Sequence, residues 1–238
     1  MSVDVIAALR RVPLLNGLDG AQLALLGRAS RMRAFPRGAV LYRQRDPPRD
    51  LLVLLRGRVK ITRQIRPGRE LILRVSTAPA VLGEFAAFTA RPHVLGATAL
   101  EPCSVSLVPC STLHRTIDAA PLMPDLLDLL QECFERVSAH IDVLGGARVE
   151  QRLARLLVDL RETEPRRNDP ELLIPLGLTR EDLGGFIGTT TETVVRVLTR
   201  WRRIGVVTTR AGGIVVRSWD VMERLAFGAG EALEHQRG

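Results

Sequence analysis

The sequence predicts an α+β chain: an N-terminal antiparallel β-roll, a long helix, and a C-terminal winged helix-turn-helix. Three observations carry this. Short apolar runs separated by Gly/Pro turns fill residues 33–113, as in an antiparallel barrel or double-sheet roll. An apolar heptad follows over 126–144, the pattern of a helix with one packing seam. Residues 178–217 then read as two short helices around a glycine, trailed by a β-branched hairpin with a glycine tip.

In chain order, 3–10 and 19–31 are two short amphipathic helices, the first with Val5, Ile6 and Leu9 and the second with Leu23, Leu25 and Leu26. The strand runs are Ala39–Tyr42, Leu51–Leu55, Arg58–Thr62, Glu70–Arg74 and Val105–Val108. Turn signals such as Pro36-Arg-Gly38, Arg56-Gly57 and Pro67-Gly68 separate them. Residues 116–145 are helical after Pro121 and Pro124. Leu126, Leu130, Cys133, Val137, His140 and Leu144 form a seam at spacings of four and three. A second stripe of Leu127, Phe134 and Ile141 suits packing on the roll. Gly145-Gly146 is expected to break the helix and act as a hinge. The domains are therefore expected at 1–115 (β-roll with short N-terminal helices), 116–145 (long helix with one packing seam) and 146–238 (winged helix-turn-helix).

The C-terminal part starts with Val149, Leu153, Leu156, Leu157 and Leu160, then a polar loop over 161–170 and a short strand over 172–176. Thr179, with Asp182 three residues on, is an expected N-cap. Leu183, Phe186 and Ile187 share a face, Gly184 permits close helix contact, and Gly188 ends the helix. Thr190 caps a second helix from Thr191 to about Arg203, with Val194, Val197, Leu198 and Trp201 buried. Its other face carries Thr191, Glu192, Val195, Arg196, Thr199, Arg200 and Arg203. Val206–Thr209 and Ile214–Arg217 pair as the wing, and the tail beyond Phe227 is expected to fray.

A length of 238 residues suits two domains. The net charge of +8 suits a polyanionic partner. From Thr189 to Arg217 six arginines face a single acid, Glu192, so the charge concentrates where the second helix would meet that partner. Cys103, Cys110 and Cys133 lack CxxC spacing, which suits a reducing compartment and argues against structural zinc. No apolar run of about eighteen residues is present, so the expected setting is cytoplasmic, with no membrane partner.

The run Gly188-Thr-Thr-Thr-Glu192-Thr-Val-Val-Arg196-Val-Leu resembles the G-x-S/T-x-E-T-V-S-R-x-L recognition motif of the Crp/Fnr family of bacterial transcription regulators. Phe35-Pro-Arg-Gly38, Leu54-Leu-Arg-Gly57-Arg-Val-Lys60 and Gly83-Glu84 resemble that family's cyclic-nucleotide-binding-type sensor. The resemblance implies a homodimer on a palindromic duplex, with RNA polymerase as a further partner. Glu192 would accept from cytosine and Arg196 would pair with guanine. An arginine precedes the glutamate in the family's best-known cyclic-AMP-responsive member. Here Thr191 stands there, and it or Val195 would meet a thymine methyl. Thr190, Thr199, Arg200, Arg203, Thr208, Thr209 and Arg210 are the expected phosphate contacts.

The implied effector pocket comprises Gly83, Glu84, Phe85, Ala86, Val94, Leu95, Val137 and Ser138. The family's phosphate-binding Arg-Ser pair falls on Val94 and Leu95, which disfavours cyclic nucleotides because a buried phosphate needs its cation. Haem is a candidate cofactor by resemblance to the nitric-oxide-responsive branch, with His93, read as a surface-loop residue, as candidate ligand. No iron–sulfur cluster is expected, for want of an N-terminal cysteine cluster. The alternatives are a cyclic-nucleotide-responsive regulator and a cupin-like metalloenzyme. Against the enzyme, His93, His114, His140 and His235 are scattered and no metal set is expected. A ligand in the roll would act by population shift, resetting the long helix and hence the recognition-helix spacing.

Overall fold

Strand β3 (Asp50–Arg56) shows why the N-terminal part needs layers on both of its faces. Its run Leu51-Leu-Val-Leu-Leu55 is apolar without alternation, and successive side chains point to opposite faces. Leu51 and Val53 enter one core with Leu9, Leu26 and Leu113, while Leu52 and Leu54 enter another with Phe35, Val59 and Ile61. Each fully buried leucine contributes about 1.5–3 kcal/mol.

The computed structural model describes residues 5–10, 15, 17–67, 69–116, 123–162, 173–175, 178–210 and 213–235. Two compact units divide it, Met1–Ser138 and Ala139–Gly238. In the first, β1 (Arg31–Phe35), β8 (Cys103–Pro109), β3 and β6 (Ala80–Leu82) form one antiparallel sheet in the order β1-β8-β3-β6. β2 (Val40–Tyr42), β7 (Gly96–Ala99), β4 (Arg58–Arg66) and β5 (Arg69–Thr77) form the other, in the order β2-β7-β4-β5. This is the double-sheet roll the turn spacing predicts. Helices α1 (Val5–Leu9), α2 (Gly20–Ala29) and α4 (Cys110–Thr116) close the outer core, and Asp19 and Gln22 form a capping box at α2. Within α2, Leu23 and Leu26 are buried but Leu25 is exposed. The short helices α3 (Glu84–Thr89) and α4 are absent from the sequence reading.

Helix α5 spans Met123–Gly146, and the boundary between the two units falls within it. It differs from expectation in three ways. Thr116 ends α4, so the long helix does not start there, and Pro121 lies outside the described residues. Gly145 and Gly146 stay helical, and the break comes at Ala147–Arg148. Leu127, Phe134 and Ile141, expected to pack on the roll, are exposed, and Leu126 and Leu129 pack against the outer core.

In the second unit α6 (Val149–Glu162), α7 (Arg180–Phe186), α8 (Thr191–Arg203) and the sheet β10 (Val207–Arg210), β11 (Gly213–Val216) and β9 (Leu173–Pro175) build the winged helix-turn-helix. Gly188 takes the positive φ of 65°, and a Cβ on Gly184 would lie 3.0 Å from the Thr189 carbonyl, so the turn packs tightly on α7. Leu183, Ile187, Val194, Leu198 and Trp201 are buried, while Phe186 and Val197 are only half so. The expected frayed tail is instead helix α9 (Trp219–His235), broken at Gly228. That break takes the following amides away from the Ala226 carbonyl, which instead accepts from Gln151 Nε2 (3.2 Å) and Arg155 Nε (2.9 Å) of α6.

At the start of α7, Asp182 N donates to Thr179 Oγ1 (3.1 Å) and Thr179 N to Asp182 Oδ2 (2.8 Å). Thr179→Ala is expected to cost about 1 kcal/mol, read as a lower urea midpoint for the second unit.

Candidate nucleic-acid interface and sensor pocket

Helix α8 is held by one face and bare on the other. The Thr190 hydroxyl accepts from Thr193 N (3.3 Å) and caps the first turn. Val194, Leu198 and Trp201 point inward. Thr191, Glu192, Val195 and Arg196 are exposed together, as a base-reading face requires. Arg203 is exposed and Thr199 half-buried. The side chains of Thr209 and Arg210 lie outside the described residues.

Two expected phosphate contacts stand differently. The Thr208 hydroxyl is buried with no hydrogen-bond partner, out of direct reach of a phosphate. The Arg200 guanidinium lies 3.3 Å from Glu150 of α6, and that carboxylate's other oxygen accepts from Trp201 Nε1 at 2.7 Å. Sequence reading missed Glu150 because its partners lie about fifty residues on. It also missed Arg180 and Arg202. With Thr199 and Val195 they edge a cavity of about 230 Å³ between α8 and the wing, lined too by the buried Leu198, Val207 and Ile214. A guanidinium at the first residue of a helix next to the recognition turn is the signal that could have marked Arg180.

In the roll, Gly83, Glu84, Phe85 and Ala86 gather at the start of α3, with Glu84 and Ala86 buried. Arg74 of β5 places Nη2 3.5 Å from Glu84 Oε1, so this buried carboxylate has a cation beside it. Val94 is 65% exposed, whereas Leu95 packs against the inner core. Val137 is exposed and Ser138 half-buried on α5. On the seam, Leu126 packs on the outer core, Leu130 is exposed and Cys133 half-buried, while the side chains of His140 and Leu144 lie outside the described residues.

His93 is no surface histidine. It is buried, its ring stacks on Tyr42 with centroids 4.0 Å apart, and its backbone bonds the 45–46 loop through Arg45 N (2.7 Å) and Asp46 O (2.9 Å). A Cβ on Gly83, whose φ is +74°, would lie 2.7 Å from the ring, so glycine is needed for this approach. Burial lowers the His93 pKa below its usual 6.5, with Asp46 partly offsetting it. Burial, and then the Glu84 carboxylate, raise the Tyr42 hydroxyl well above its ordinary value. A ring buried this way and stacked on a phenol does not fit an open haem ligand. At this cassette around α3, Val94 and Leu95 stand where the resemblance implies an Arg-Ser pair, and Glu84 is paired with Arg74. Among the described residues no three His, Cys, Asp or Glu side chains cluster to hold a metal ion, and no helix is long and apolar enough to cross a membrane.

A depressed imidazole pKa means that the unfolded chain takes up the proton first as pH falls. The stabilisation is complete above pH 6.5 and drains away below it, toward the lowered folded value. The urea midpoint is expected to fall between about pH 7.5 and about pH 5.5, and to fall less in His93→Gln.

Known proteins match this geometry over nearly the whole chain. Residues 32–119 match the model of the cyclic nucleotide-binding domain, and 151–225 match that of the Crp-like helix-turn-helix domain. A CRP-like cAMP-activated global transcriptional regulator of Mycobacterium tuberculosis is 24% identical, over 92% of this chain and 98% of that protein. The fumarate and nitrate reduction regulatory protein of Escherichia coli is 27% identical, over 82% of this chain and 78% of that one. Among solved structures, a putative transcriptional regulator of the Crp/Fnr family from Eubacterium rectale shares the fold at a TM-score of 0.74 and 19% identity, over 90% of this chain and 97% of the other.

Proposed function

The chain belongs to the Crp/Fnr family of bacterial transcription regulators, and from that premise we propose a homodimeric, sequence-specific DNA-binding regulator whose roll does not take cyclic AMP in the usual way. The observation that carries it is the bare face of α8: a short polar face with an arginine, on a helix whose other face is fixed by Trp201. Glu192 and Arg196 read a cytosine and a guanine edge, and Thr191 or Val195 meets a thymine methyl. Thr190, Thr199 and Arg203, joined by Arg180 and Arg202, hold the backbone and set register. RNA polymerase is the further partner of the bound dimer, and the setting is the cytoplasm. No enzymatic step is assigned.

The homodimer is supported by α5. Leu127, Leu130, Phe134, Val137 and Ile141 repeat at three and four residues and are between 41 and 72% exposed. Such a stripe on an α-helix is the seam of a coiled coil. It shares Leu130 and Val137 with the seam read from sequence but is rotated toward Phe134, because Leu126 is taken up by the outer core. Two-fold symmetry would then place two copies of α8 about 34 Å apart, one turn of duplex.

Support for a changed sensor lies in the Arg74–Glu84 pair and the Tyr42–His93 stack beside Gly83. Calorimetric titration with cyclic AMP and cyclic GMP is expected to give no binding at micromolar concentration; saturable heat there would overturn this part.

The DNA-reading part is tested by fluorescence anisotropy on the preferred duplex and on scrambled duplex. Arg196→Ala is expected to lose about 1–3 kcal/mol on the preferred site and to relax one position. Arg203→Ala is expected to weaken both duplexes alike and to reduce the salt slope by about 1. Phe134→Glu is expected to turn a dimer into a monomer in sedimentation equilibrium; an unchanged dimer would remove this helix face from the interface.

A further inference from the structure

Glu150 divides its carboxylate between two neighbouring residues of α8. Oε1 accepts from Trp201 Nε1 at 2.7 Å, and Oε2 lies 3.3 Å from Arg200 Nη1. The two contacts are unlike. Trp201 has no exposed surface, so its indole N–H must find its acceptor inside the fold, and losing it would leave a buried donor unpaired. The Arg200 side chain is 70% exposed, and a pair that open to solvent is held weakly enough to exchange.

The position of Arg200 on the recognition helix makes this pairing consequential. A guanidinium set against a carboxylate presents little net charge to a duplex, and to reach a phosphate it must leave Glu150. That departure costs the same on any sequence. Base contacts by Glu192 and Arg196 do not involve this group.

We infer that Glu150 is a positioning residue that holds Arg200 off the phosphates and so limits the sequence-independent affinity of α8, while fixing the helix through Trp201. The inference rests on the DNA-reading assignment above. Arg200 is on this account a neutralised cation rather than one of the contacts that hold the duplex.

The test measures binding of the full-length protein to a mixed-sequence duplex across a salt series, with a melting temperature for every variant. Glu150→Gln keeps an oxygen for Trp201 but removes the charge. It is expected to bind about fivefold more tightly near 0.1 M salt, with a slope of log K against log[salt] steeper by about 1. Arg200→Ala alone is expected to change affinity less than about twofold, and Glu150→Gln/Arg200→Ala to match it, the gain having vanished. A merely structural role for Glu150 predicts weaker binding with no steeper slope. Unchanged or weaker binding by a normally melting Glu150→Gln overturns the inference. So does a gain that persists without Arg200, or an Arg200→Ala loss as large as that of Arg203→Ala. A wild-type protein without affinity for any duplex would overturn this inference together with the DNA-reading assignment, which distinguishes that failure from the others.

Discussion

Trp201 is the largest fully buried side chain of the protein, and it carries a donor that cannot go unpaired. Its bond to Glu150 ties α8 to α6, and with Val194 and Leu198 it sets which face of α8 turns inward. Everything read at the DNA follows from that rotation. Turning α8 by one residue, about 100° in a helix, would bring Val195 inward and shift Arg196 from its present place on the exposed face. The capped turn before α8, with Gly188 at positive φ and Gly184 against the Thr189 carbonyl, fixes where the helix starts. Start and rotation together leave a rigid helix with one exposed face, which is what base reading by a few side chains requires.

The roll illustrates a different constraint. Its core is apolar on both faces of one sheet, but the cassette at α3 gathers a carboxylate, a guanidinium, a phenol and an imidazole. Burial makes each charge costly, and the chain answers from within itself: Arg74 serves Glu84, and Tyr42 and His93 cover one another as neutral rings. The proposal that the roll does not take cyclic AMP in the usual way rests on this internal matching. The relative from Mycobacterium tuberculosis is described as cAMP-activated, and the two chains share only 24% of their residues. An altered cassette within a common fold is the expected place for such relatives to part.

Local rules were legible in the sequence. The Thr179–Asp182 capping box, the glycine turn, the α8 stripe and the wing follow from spacing over a few residues, and the structure contains each. The double-sheet roll followed from turn spacing, and its continuous apolar strand from burial on both faces. What spacing could not decide was which of two overlapping stripes faces outward on α5. The seam expected through Leu126, Leu130 and Val137 and the exposed stripe of Leu127, Leu130, Phe134, Val137 and Ile141 share two residues, and the packing of Leu126 and Leu129 on the outer core separates them. Long-range pairs were equally hidden. Nothing near His93 in sequence announces Tyr42, nothing near Glu150 announces Trp201, and the glycine at 228 disguised α9 as a fraying tail.

The most direct test of the central claim is selection of duplexes by the wild-type protein from a library with a fully randomised centre. The account predicts enrichment of an inverted repeat whose half-sites lie about one helical turn apart, each with a guanine at one defined position and no second guanine where Thr191 stands. No enrichment, or a single asymmetric site, would contradict a dimer that reads DNA through the exposed face of α8.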